Sequence, residues 1–144
     1  MTLTVPHMTR FLMTLDQSVD LVFHAMTMAR GGEIFVRKAP ACTVEDLAEA
    51  MRRKYSPRGA GHPIQEVGIR PGEKIHEILV NEYELQRVSE SDTYFTIHPE
   101  YRLPGQLTPQ ALGSEYSSEN THRLCSFEEI APMLDAAGVV EEYT

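Results

Sequence analysis

Arg70 and Glu73 stand three positions apart with Pro71 and Gly72 between them, in the stretch RPGEKIHE from Arg70 to Glu77. A guanidinium is a planar fork of donors that matches the oxygens of a diphosphate, and a carboxylate offers acceptors to neighbouring sugar hydroxyls. Pro-Gly is a turn signal, so the two groups fall on either side of a tight bend. The pair amounts to a small grip for a phosphate and a sugar diol. Arg10 is a third candidate, in MTRFLMTLDQSVDLV, Met8 to Val22. It lies four residues before Thr14, the expected start of a helix, where an arginine and helix-terminal amides could share an anion. Asp16 falls in the first turn of that helix, where the dipole alone accounts for a carboxylate. His76 and Glu77 read as packing or capping groups.

The elements that must position these residues are short. Thr2 to Val5 suits an edge strand ending at Pro6. Thr14 and Gln17 form a capping box for a helix that carries Val19, Val22, Phe23 and Met26 and stops before Gly31-Gly32. Gly32 to Val36 reads as a buried strand. Thr43 with Asp46 caps a second helix bearing Leu47, Ala50 and Met51, which runs into the basic stretch Arg52, Arg53, Lys54, Arg58, a solvated helix end. After a connector at Gly59 to Pro63, Ile64 to Ile69 alternates as a strand should and leads into the Arg70 turn. Ile75, Ile78 and Leu79 recur at helical spacing, so Lys74 to Val80 is expected to be a short helix or turn. Tyr94 to His98 has the pattern of an edge strand, and Pro99 to Asn120 that of a long loop. Ser126 and Glu129 cap a third main helix, through Ile130, Met133 and Leu134 to Gly138. The expected class is α/β. One domain spans residues 1–138, with the 99–120 loop inside it, and residues 139–144 form a tail. The strands are too few for a complete doubly wound sheet, and no GxGxxG occurs.

The net charge of -8 argues against a general nucleic-acid or anionic-membrane surface, so any anionic ligand must be held by local arginines. Cys42 and Cys125 lie far apart without a CxxC and read as reduced thiols. The six histidines are scattered with no HExxH, which gives no metal site. Nothing approaches the roughly 18 consecutive apolar residues of a membrane span, so a soluble cytoplasmic chain is expected.

MTRFLMTLDQSVDLV, GGEIFVRKAP, VGIRPGEKIHEILV and YSSENTHRL, in that order, resemble the C-terminal part of the inverting UDP-N-acetylglucosamine 4,6-dehydratases of bacterial capsule and O-antigen polysaccharide biosynthesis. These belong to the extended short-chain dehydrogenase/reductase superfamily. The resemblance runs from Thr2 to about Leu134. It implies that Arg10 and Arg70 reach the diphosphate of a UDP-sugar and that Glu73 contacts the ribose hydroxyls. It further implies that Tyr116 to Thr121 helps close the site or forms an oligomer contact.

The same resemblance implies NAD(P) chemistry in the complete enzyme, which needs a glycine-rich cofactor loop and a tyrosine four residues before a lysine. Neither is here: four positions before Lys38, Lys54 and Lys74 stand Ile34, Ala50 and Arg70. The family's catalytic residues would then lie upstream of Met1, and no cofactor is expected on this chain itself. Three roles fit: the sugar-binding half of a truncated or split dehydratase, a UDP-sugar 4-epimerase-type protein, or a non-catalytic module working with a full-length paralogue. A separate cofactor-binding half is the expected partner. Self-association is expected too, because the surface that meets such a half would be apolar.

Overall fold

Helices in this chain begin where a side chain satisfies an amide that the helix leaves unpaired. In the computed structural model, which describes residues 1–102 and 115–138, the Thr14 hydroxyl accepts from Gln17 N and the Gln17 side chain accepts from Thr14 N. This capping box opens α1, Leu15–Met28. Thr43 caps α2, Val44–Tyr55, by accepting from Asp46 N. A single-turn helix that the apolar spacing does not signal, α3, Glu82–Leu85, starts from a capping box between Asn81 and Glu84. Ser126 and Glu129 open α4, Phe127–Ala136, in the same way. Bonds from Cys125 N, the Ser126 hydroxyl and Ser126 N hold the Glu129 carboxyl below the usual carboxylate range.

The strands are two to four residues long and form four small sheets among the described residues. β1, Thr2–Leu3, pairs in parallel with β5, Gln65–Glu66. β2, Thr9–Phe11, pairs antiparallel with β4, Ala41–Thr43. β3, Ile34–Arg37, β7, Val88–Glu90, and β8, Tyr94–Ile97, form one antiparallel sheet in the order β3-β8-β7. β6, Ile78–Val80, pairs antiparallel with β9, Tyr116–Ser117. The chain is α/β, as expected, with the three expected main helices.

Several local expectations are corrected. Tyr94 to His98 is a central strand rather than an edge: Phe95 pairs with both Val36 and Glu90, and its alternation buries Phe95 and Ile97 on one face. Lys74 to Val80 forms no helix. The turn at Pro71-Gly72 leaves too few residues for a stable one, and Val80 is fully buried as part of β6. The strand expected over Ile64 to Ile69 shrinks to β5, because Gly68 adopts a positive φ of 79°. Within the 99–120 loop, β9 forms; residues 103–114 and the 139–144 tail lie outside the described residues.

Two apolar clusters hold these pieces. Val36, Val80, Leu85, Val88, Phe95 and Ile97 pack beneath the three-stranded sheet against Tyr116. Cys42, Ala50, Leu124, Ile130 and Leu134 join α2 to α4. Helix α1 contributes to neither and buries no residue: the expected apolar residues Val19, Val22, Phe23 and Met26, together with Leu15, face outward, with Leu15 76% and Met26 73% exposed. On its other side the His24 ring stacks on Tyr94 at 3.9 Å and meets the edge of Phe35. Among the described residues no helix is long and apolar enough to cross a membrane.

The two thiols differ sharply. Burial first, then the nearby Asp46 charge, pushes Cys42 up to about 11, while Cys125 is exposed. A thiol reagent at pH 8 is therefore expected to label Cys125 rapidly and Cys42 only on unfolding; equal rates in mass spectrometry would refute this. Because the folded value lies above the ordinary thiol value, the native state holds this proton more tightly than the unfolded chain. Stability present below pH 9 should be lost between about pH 9 and 11.

Candidate functional site

The Arg70 turn is closed twice. Glu73 N donates to the Arg70 carbonyl at 3.1 Å, with Pro71 at the second position and Gly72 at a φ of 86°, the pattern of a type II turn. Glu73 Oε2 then accepts from Arg70 N at 2.9 Å. Among the described residues Glu73 Oε1 and the Arg70 guanidinium have no hydrogen-bond or ion-pair partner, and Arg70 is exposed. The turn thus uses half of the carboxylate to fix its own shape and leaves the other half, with the whole fork, to solvent.

Arg10 sits in β2, and its guanidinium turns toward the segment that follows this turn. Nη1 donates to the Thr9 carbonyl at 2.7 Å and to the Ile75 carbonyl at 3.3 Å, Nη2 reaches Met8 Sδ at 2.8 Å, and Glu77 lies 3.7 Å from Nη1. Thr9 N adds a bond to the Ile75 carbonyl at 3.0 Å. The structure therefore places Arg10 against RPGEKIHE, a proximity the sequence leaves open. It does not aim Arg10 at the α1 amides; Thr14 satisfies Gln17 N there.

Tyr116 to Ser118 and Thr121 are tied into the interior, while Glu119 and Asn120 are exposed. The Tyr116 hydroxyl accepts from Ala39 N at 2.8 Å and donates to the Ala39 carbonyl, which also accepts from Thr121, while its ring packs on Phe11 and Phe95. Ser118 is fully buried, and its Oγ accepts from Glu77 N at 2.8 Å and lies 2.7 Å from Thr9 Oγ1. Thr9 Oγ1 is 2.8 Å from His76 Nδ1, and His76 Nε2 faces Glu119 at 3.7 Å. Sequence reasoning missed Thr9 and Ser118 as parts of the site's frame. The available signal was the pair of small hydroxyl residues at Ser117-Ser118, which burial makes costly unless bonded.

The cofactor of the resembling enzymes finds no cradle among these residues. The chain passes from strand to helix through Leu12–Met13–Thr14, at Thr43 and at Asn81, with no glycine at any of these junctions to admit a pyrophosphate. Anion and hydroxyl recognition is the chemistry this site can offer.

Comparison with known proteins gives the family. Residues 1–99 match the family described as polysaccharide biosynthesis protein. The chain is 37% identical over 150 aligned positions to a UDP-glucose 4-epimerase of Rickettsia akari (strain Hartford), covering 99% of this chain and 42% of that protein. Against the UDP-glucose 4-epimerase of Rickettsia prowazekii (strain Madrid E) the identity is again 37%, with 93% and 40% covered. The X-ray structure of Pen from Bacillus thuringiensis superposes with a TM-score of 0.77 at 34% identity, over 92% of this chain and 39% of that one. The chain thus spans about two fifths of the length of the relatives it matches. With more than half of its residues inside the family match and its partial α/β fold shared with a solved relative, the chain belongs to the polysaccharide biosynthesis protein family of the extended short-chain dehydrogenase/reductase type.

Proposed function

We propose that this chain is the UDP-sugar-binding portion of a cytoplasmic nucleotide-sugar 4,6-dehydratase of the UDP-N-acetylglucosamine type, serving capsule or O-antigen synthesis and catalytically incomplete alone. Arg10 and Arg70 bind the diphosphate, and Glu73 binds the ribose hydroxyls. The observation that carries this reading is the seam between β2 and Ile75, which sets Arg10 against the segment that follows a turn whose guanidinium and free carboxylate oxygen have no protein partner among the described residues. Calorimetry of the chain with UDP-N-acetylglucosamine tests it. Arg70→Ala and Glu73→Ala should each weaken binding by about 1 to 3 kcal/mol, the range for a lost charge-assisted bond. Unchanged affinity in both variants would remove the assignment.

A UDP-sugar 4-epimerase-type role is the second reading, favoured by the similarity to the UDP-glucose 4-epimerases of Rickettsia. Preference for UDP-glucose over UDP-N-acetylglucosamine in a competition titration would select it. In either case NAD(P) belongs to a separate cofactor-binding half or to a full-length paralogue. The outward apolar stripe of α1 supports such a partner, or self-association in its absence. Mixing the chain with a separately produced cofactor-binding half and assaying turnover tests the split-enzyme form; two folded halves with no turnover would exclude it.

A further inference from the structure

We propose that His76 controls the freedom of Arg10 through a reversible chain of two buried hydroxyls, so that protonating the imidazole loosens a guanidinium it does not touch. Only the ligand-binding consequence rests on the proposed function.

The chain runs from Ser118 Oγ to Thr9 Oγ1 at 2.7 Å and on to His76 Nδ1 at 2.8 Å. Each hydroxyl has one proton to give. With a neutral imidazole whose Nδ1 accepts, Thr9 must donate to His76, and Ser118 must donate to Thr9. The imidazole proton then sits on Nε2, toward Glu119. The arrangement is complete, and it leaves the Thr9 carbonyl to Arg10 Nη1 at 2.7 Å.

A charged imidazole donates from both nitrogens, and the chain must reverse. His76 Nδ1 then donates to Thr9 Oγ1, Thr9 donates to Ser118 Oγ, and the Ser118 proton turns to its other acceptor, the Thr9 carbonyl at 3.3 Å. That oxygen is the one Arg10 Nη1 already holds. Ser118 Oγ keeps its bond from Glu77 N throughout, so no buried group is orphaned in either arrangement. The reversal makes Ser118 share the carbonyl and weakens the tether that folds Arg10 back onto its own strand. Among the described residues Glu119, from the turn after β9, is the charged group that faces the imidazole, while Arg10 of β2 pairs with Glu77 of the His76 segment.

The test is nitrogen-15 NMR of the full chain across about pH 5 to 8, where imidazoles change charge. At pH 8 His76 should show the Nε2–H tautomer, and the Arg10 side-chain resonances should shift along the His76 titration curve. Ser118→Ala, which removes the hydroxyl linking Thr9 Oγ1 to the Thr9 carbonyl while leaving the His76 and Arg10 side chains in place, should uncouple them. A His76 Nδ1–H tautomer at pH 8, or Arg10 resonances indifferent to His76 in the wild type, would overturn the relay even if the variant failed to fold. The same samples titrated with UDP-N-acetylglucosamine, a diphosphate diester lacking the monoester proton lost near pH 6, should bind about 5-fold tighter at pH 5.5 than at pH 8, the low end of coupling between sites. Coupled resonances without any binding would uphold the relay and defeat the UDP-sugar reading instead.

Discussion

Phe95→Ala will lower the free energy of unfolding by about 3 to 5 kcal/mol, the range for truncating a buried aromatic, read as a lower urea midpoint at unchanged slope. Phe95 is 2% exposed in the middle of the central strand, between Val36 and Glu90. Its ring supports that of Tyr116, with centroids 4.9 Å apart, and the Lys38 ammonium lies 4.9 Å above it. The loss therefore reaches beyond the sheet, because Tyr116 is the residue that latches the Ala39 backbone. Small domains are stable by only about 5 to 15 kcal/mol, so this one change could consume much of the total. A cost below about 1 kcal/mol would mean that the cluster under the sheet collapses around the void and does not organise the fold.

Ile130→Ala should cost about 2 to 5 kcal/mol for a related reason in the other cluster. Ile130 is 1% exposed where α4 meets α2 and β4, and its neighbours Cys42 and Ala50 are small residues held by a strand and a helix. Cys42 and Ala50 are too small to fill the space, so where in that range the cost falls depends on how far Leu124, Leu134, Met51 and Met133 relax into it. A second readout is chemical. With the cluster loosened, Cys42 should react with a thiol reagent under native conditions, at a rate set by local opening. A variant of full stability with Cys42 still protected would contradict the packing described for α2 and α4.

What the sequence could disclose followed the distance between interacting groups. The helix starts at Thr14, Thr43 and Ser126 depend on atoms three residues away, and each was legible. The turn joining Arg70 to Glu73 was legible for the same reason. Strands of two to four residues were legible only in part: β1, β3, β5 and β8 fall within or overlap expected stretches, but alternation needs a longer run to register the others. Thr9–Phe11 and Ala41–Thr43 escaped notice, and Ile75, Ile78 and Leu79 mimicked a helix in a segment that pairs as β6. The position of Arg10 was beyond reach: its bond to Ile75 joins residues 65 apart. Only a folded chain brings them together.

The bond between Thr9 and Ser118 spans 109 positions, and Leu124 N reaches back to the Ala41 carbonyl over a comparable stretch. Closing such spans costs chain entropy before any contact returns it, and folds rich in distant pairings form slowly. The seam around Arg10 should accordingly be among the last features to assemble and among the first to open. Arg10 then stands in its completed seam against Ile75 only in chains where Thr9 and Ser118 have already met. An anion captured there selects the completed structure from every partly assembled one, and its binding free energy adds to the stability of the whole chain rather than of one loop.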